Sequence, residues 1–171
     1  MMLVAALVIL FLLKIRFPRN QPISRSIQQR YGQQALSKYR HVEKTIFRYE
    51  KTICDIDFLY KCKAYNVMPK FLRFKLYNKR IQDSQLYRSW QCKLLNIEIK
   101  ARTRELDRLK NRYETALAAL RSLISNLDFI ILRKWINDKN GKSLEKVRNT
   151  HKRKLNNLGI SNTLLPMESD K

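Results

Sequence analysis

Three glycines and four prolines in 171 residues leave few places for tight turns, which argues against a turn-rich fold and for long helices with few connections. Cysteine is equally scarce. Cys54, Cys62 and Cys92 are an odd number without a C-x-x-C pair, so neither a disulfide framework nor a zinc ribbon is supported and a reducing compartment is the simpler assumption. His41 and His151 are the only imidazoles and lie far apart in the chain. No metal and no cofactor is therefore predicted. The sequence also lacks G-x-S-x-G, a P-loop, H-E-x-x-H and clustered carboxylates, and Asp55 and Asp57 fall on different helix faces. With no nucleophile, base and oxyanion donor together, the chain reads as a non-enzyme.

Acidic residues are the most telling shortage. Fourteen Asp and Glu face 36 Lys and Arg, a net charge of +22, which repels itself in a compact state and favours nucleic acid or anionic lipid as a partner. The excess is uneven: Lys61–Arg104 holds twelve cations against two acids, and Arg133–Lys154 holds nine against two.

Met1–Leu13 is continuously apolar and is followed by Lys14 and Arg16. A bilayer crossing takes about 20 apolar residues, so even 1–17 with snorkelling cations is at the lower limit. The basic residues follow the run, whereas a cleaved signal carries them before it. Three readings stay open for this apolar N-terminal helix: insertion as a membrane anchor, cleavage, or a leader that packs on a partner or was appended by an upstream start codon. On insertion, the charges after the run keep the remainder cytosolic. Localisation is read as intracellular, with membrane anchoring through 1–17 as the variant. Residues 18–34, rich in Arg, Gln, Ser and Pro, read as a linker with at most a short helix.

Two heptad seams follow. Tyr39, Val42, Ile46, Tyr49, Ile53, Ile56 and Tyr60 alternate in threes and fours, as a narrow helix stripe requires, and Asn66 and Pro69 end that helix. Leu106, Leu109, Tyr113, Ala116, Leu120, Leu123, Leu127 and Ile130 form the second, within a helix expected from Ile81 to Trp135. Asn137–Ser143 then punctuates the chain. Ser143 caps a short basic helix over 143–159 that Gly159 ends, and 160–171 reads as a disordered tail. The predicted fold is all-α: a long antiparallel helical hairpin or coiled coil over 35–136, with a short C-terminal helix and an apolar N-terminal helix. The seams pair either within one chain or between chains as a homodimer.

The hairpin's connector is "NVMPKFLRFKLYNKR", Asn66–Arg80, with five cations, three aromatics and no acid. Its candidate phosphate contacts are Lys70, Arg73, Lys75, Lys79 and Arg80, joined by Lys152, Arg153 and Lys154 from the last helix. Phe71, Phe74 and Tyr77 recur every three residues beside Leu72 and Leu76, which favours packing for the rings over stacking on unpaired bases.

The order "DIDFLYKCKAYNVMPKFLRFKLYNK" (Asp55–Lys79), a long charged helix, then "THKRKLNNLGI" (Thr150–Ile160) resembles the helical region ahead of the reverse transcriptase core in retroelement reading frames, most like Penelope-like elements. The resemblance spans roughly Tyr39–Ile160 through short, degenerate motifs. It implies an accessory role touching nucleic acid. The sequence ends at Lys171 with no acidic metal-binding polymerase motif, so a fragment without polymerase or nuclease activity is expected. The functional expectation is thus a non-catalytic basic module binding RNA or single-stranded DNA by its backbone. The alternative is a membrane-anchored coiled-coil scaffold with a basic cytosolic face.

Overall fold

The computed structural model describes residues 23–77 and 84–160. The apolar segment 1–17, the first residues of the expected linker, Lys79, Arg80 and the tail from 161 lie outside them. The fold is all-α. Among the described residues four helices appear in order: α1 (Ile23–Ala64), α2 (Lys70–Tyr77), α3 (Ser84–Arg121) and α4 (Asn126–Asn156). No strand occurs among the described residues, and no helix among them is long and apolar enough to cross a membrane. The long helices α1 and α3 pack against each other as the hairpin that the seams require.

The chain divides into two compact units, one formed by residues up to Tyr49 with Arg108–Ser143, the other by Glu50–Asp107 with the residues from Leu144 on. In the first, Tyr39, Val42 and Ile46 of α1 bury against Ala116 and Leu120 of α3 and Ile131, Leu132 and Ile136 of α4. The Tyr49 and Tyr113 rings stack with centroids 6.2 Å apart. In the second, Phe58, Leu59 and Cys62 of α1 meet Leu95 and Ile99 of α3, Met68 and Leu72 around α2, and Leu155 and Ile160 at the end of α4. Each fully buried aliphatic or aromatic side chain contributes about 1.5–3 kcal/mol.

Four expectations are corrected. Residues 18–34 are not simply a linker: from Ile23 they are helical, and Ile23 and Ile27 are buried in the first core. The helix expected to run unbroken to Trp135 stops at Arg121, and a new one starts at Asn126. Ser125 caps it, its hydroxyl accepting from the Asp128 amide at 3.3 Å. The Tyr31 hydroxyl donates to the buried Asp128 carboxylate and lies 3.2 Å from Ser125 Oγ, and Arg30 stands 3.6 Å from the same carboxylate. The break resets the helical phase, so Ile131, Leu132 and Ile136 are buried while Leu127 and Ile130 of the predicted seam are exposed.

The third correction concerns Asn137–Ser143, which is not a stop. α4 runs through it, because burial of Ile136 and Leu144 on one side outweighs the weak helix propensity of Gly141. The short C-terminal helix is therefore the last part of a 31-residue one. The fourth lies in α1, where beyond Tyr49 the seam steps by one residue: Thr52 and Leu59 are buried and Ile53 and Tyr60 exposed.

Gly32 interrupts α1 at φ 81°, ψ −179°, a conformation open essentially to glycine alone. Nothing lies within 4 Å of a Cβ placed there, or of one on Gly141, which sits in an ordinary helical turn. Substituting the two glycines should therefore have opposite effects. Urea unfolding should show Gly32→Ala destabilising by about 1–3 kcal/mol and Gly141→Ala stabilising by about 0.5–1 kcal/mol.

Candidate functional site

The connector is held by local backbone chemistry before any tertiary contact. α1 ends with Asn66 in the left-handed region (φ 51°), where the Asn66 amide donates to Lys63 O at 3.1 Å and the Val67 amide to Cys62 O at 2.8 Å. This is the Schellman arrangement, and its apolar pair, Cys62 and Val67, belongs to the second core. Pro69 then starts α2, its carbonyl accepting from the Leu72 and Arg73 amides. At the end of α4 the same motif recurs. Gly159 has φ 79°, its amide donates to Asn156 O, the Ile160 amide donates to Leu155 O, and Leu155 and Ile160 join the same core.

Two helix ends thus finish in one apolar cluster. It brings together the two groups of cations that the sequence keeps about 80 positions apart. Lys70 and Arg73 flank buried Leu72, and Lys152, Arg153 and Lys154 precede buried Leu155; all five are exposed. Arg73 Nε donates to the Met68 carbonyl at 2.9 Å, which fixes its guanidinium at the surface. Lys75 lies on α2. Lys79 and Arg80 fall outside the described residues. Of the second basic concentration, Arg133–Lys142 belongs to the first unit, so only Lys146–Lys154 shares a unit with the connector.

Acids are segregated along the same helices. The sequence has no Asp or Glu from Phe58 to Gln82, from Ser84 to Ile97, or from Lys146 to Ile160. Four acids of the second unit are paired within it. Asp57 binds Lys61 at 2.8 Å, and Arg102 bridges Glu98 at 3.3 Å and Glu105 at 3.1 Å. Asp55 Oδ1 lies 3.2 Å from His151 Nε2, and the His151 ring stacks on Phe58 with centroids 4.7 Å apart. Burial pushes the Asp55 pKa up, but the hydrogen bond and charge of His151, then Lys51 and Arg102, outweigh it and hold the carboxyl below its ordinary value. Burial pushes Glu50 up, with Arg148 opposing.

Cys62 is buried and its thiol is pushed up to about 11, which keeps it protonated and unreactive. No three His, Cys, Asp or Glu side chains among the described residues converge as a metal site. The first unit has a cleft of about 760 Å³ lined by Tyr39, Arg40, Glu43, Trp135 and Asp138, with Lys139 paired to Glu43. Burial, and secondarily Glu43, push the Tyr39 phenol up, so it stays protonated there.

Phe71, expected to pack, is exposed. Leu72 takes the inward position, and a neighbour one residue earlier on a helix is turned about 100° away. Tyr65, Tyr87 and Arg88 are exposed at the same end and were not singled out from sequence. Their only signal was position: Tyr87 stands one turn before Gln91, whose side-chain amide donates to Asn66 O at 2.6 Å. No family model, curated protein or solved structure matches this chain.

The Asp55–His151 pair sets a pH dependence. Because the folded carboxyl titrates lower than the unfolded one, its stabilisation is present above the unfolded value of about 3.9 and is lost as pH falls through the folded value. Urea midpoints of the wild type should drop through this acid range, and Asp55→Asn should flatten that part of the profile. A profile identical in the two proteins would exclude the coupling.

Proposed function

We propose that the chain is a non-catalytic basic helical module that binds nucleic acid through its phosphate backbone, without reading sequence. One observation carries the reading. A single apolar cluster gathers the ends of α1 and α4 and the start of α2, and the cations exposed around it, Lys70, Arg73, Lys152, Arg153 and Lys154, come from segments without an acid. A purely solubilising charge would be interspersed with acids, as it is farther along the same unit, where Arg102 bridges Glu98 and Glu105. Phosphates are the anions that a concentrated, unpaired set of Lys and Arg serves best. Membership of a retroelement reading frame is part of this proposal and rests on the resemblance of Asp55–Lys79 and Thr150–Ile160.

Anisotropy titrations of a single-stranded RNA between about 50 and 200 mM salt test it, since each phosphate contact contributes about 0.7 to the slope of log K against log salt. The wild type should give a steep slope. Replacing Lys70, Arg73, Lys152, Arg153 and Lys154 with Gln should flatten it, with the helical circular dichroism unchanged. A control with Arg108, Lys110 and Arg112 of the first unit changed to Gln should keep the slope of the wild type. A flat wild-type slope, or equal flattening by the control, contradicts the proposal.

A further inference from the structure

We propose that the end of the second unit where α1 leads into α2 takes an unpaired strand, whose bases stack on Tyr65, Phe71 and Tyr87 while its phosphates meet the neighbouring cations. The inference rests on the proposed nucleic-acid binding and narrows it to one class of ligand. Its basis is the exposure of the rings. Phe71 is 54 % exposed, Tyr65 40 % and Tyr87 38 %, although the core of the same unit is within a few residues of each. Two other rings of this unit are used internally: Phe58 is buried and stacked on His151, and Trp90 packs at the edge of the core with Lys93 Nζ 4.9 Å from its centroid, whereas Tyr60, also exposed, stands more than a turn of α1 before Tyr65.

The three exposed rings share one end of the unit. Tyr65 adjoins Asn66, Asn66 is bonded to Gln91, and Tyr87 lies one turn before Gln91. Phe71 adjoins Leu72, which packs in one cluster with Leu95, a turn beyond Gln91. Exposed cations lie on the same short segments as two of the rings: Lys70 and Arg73 on the segment of Phe71, Arg88 on that of Tyr87. An apolar protein partner would leave those cations unmatched at the contact, whereas a single strand supplies an anion and an open π-face at every nucleotide. A duplex supplies the anions but keeps its bases stacked inside, out of reach of the rings. Charge and aromatic surface together therefore select the unpaired strand.

The test uses the full chain with three probes: an oligouridine RNA, an RNA duplex of equal length, and inorganic polyphosphate. Tyr65→Leu with Phe71→Leu keeps apolar bulk at exposed positions and removes the π-faces. The wild type should prefer the single strand, and the double variant should lose roughly 5- to 150-fold in affinity for it per stacked base. Its salt slope and its affinity for polyphosphate should not change. Equal wild-type affinity for all three probes, or unchanged strand affinity in the variant, overturns the inference and leaves backbone binding standing. Binding to none of the probes overturns both.

Discussion

Leu72 and Leu155 are buried in one apolar cluster, and that burial holds together two segments whose charges repel. The magnitudes decide in favour of packing. Removing each leucine from water contributes about 1.5–3 kcal/mol, whereas two surface cations even about 4 Å apart in bulk water cost about 1 kcal/mol, and salt reduces that further. The cluster also completes two helix ends, because Cys62 with Val67 and Leu155 with Ile160 are the apolar pairs of their Schellman motifs. Termination, packing and the gathering of charge are one event at this site.

Helix geometry explains why positive charge gathers there. The C-terminal turns of α1 and α4 carry Lys61, Lys63, Arg153 and Lys154, which the partial negative charge of a helix end favours. Four acids of the same unit are held in Asp55–His151, Asp57–Lys61 and the Arg102 bridges. Of the helix-end cations Lys61 is taken up by Asp57, while Arg153 and Lys154 are exposed to the solvent. The first unit is organised differently. Its buried charge, Asp128, stands in the first turn of α4 and is held by Tyr31 and Arg30, so it serves the fold.

Much of this architecture was legible in the sequence. The seam residues Tyr39, Val42 and Ile46 are buried as their spacing requires, and Asn66, Pro69 and Gly159 end or begin helices through backbone preferences that act locally. What failed depended on distant partners. The seam through Leu127 and Ile130 reads continuously, yet Ser125 with Asp128 three residues on marks a helix start that only becomes decisive when Tyr31 binds it. Asn137–Ser143 looks like a break until the burial of Ile136 and Leu144 on either side of it is known. The candidate cations were found by counting, since charge is visible one residue at a time. The exposed rings were not, because a three-residue period in Phe71, Phe74 and Tyr77 does not reveal that Leu72 claims the inward face.

The central claim, that one end of the second unit is the polyanion-binding surface, is tested most directly by mapping backbone amide shifts of the isotope-labelled chain during titration with a short single-stranded oligonucleotide. The account predicts perturbations concentrated at Tyr65–Arg73, Tyr87–Arg88 and Lys152–Lys154, saturating together. Perturbations concentrated in the first unit, around Arg108–Arg112 or Arg133–Lys142, would contradict it.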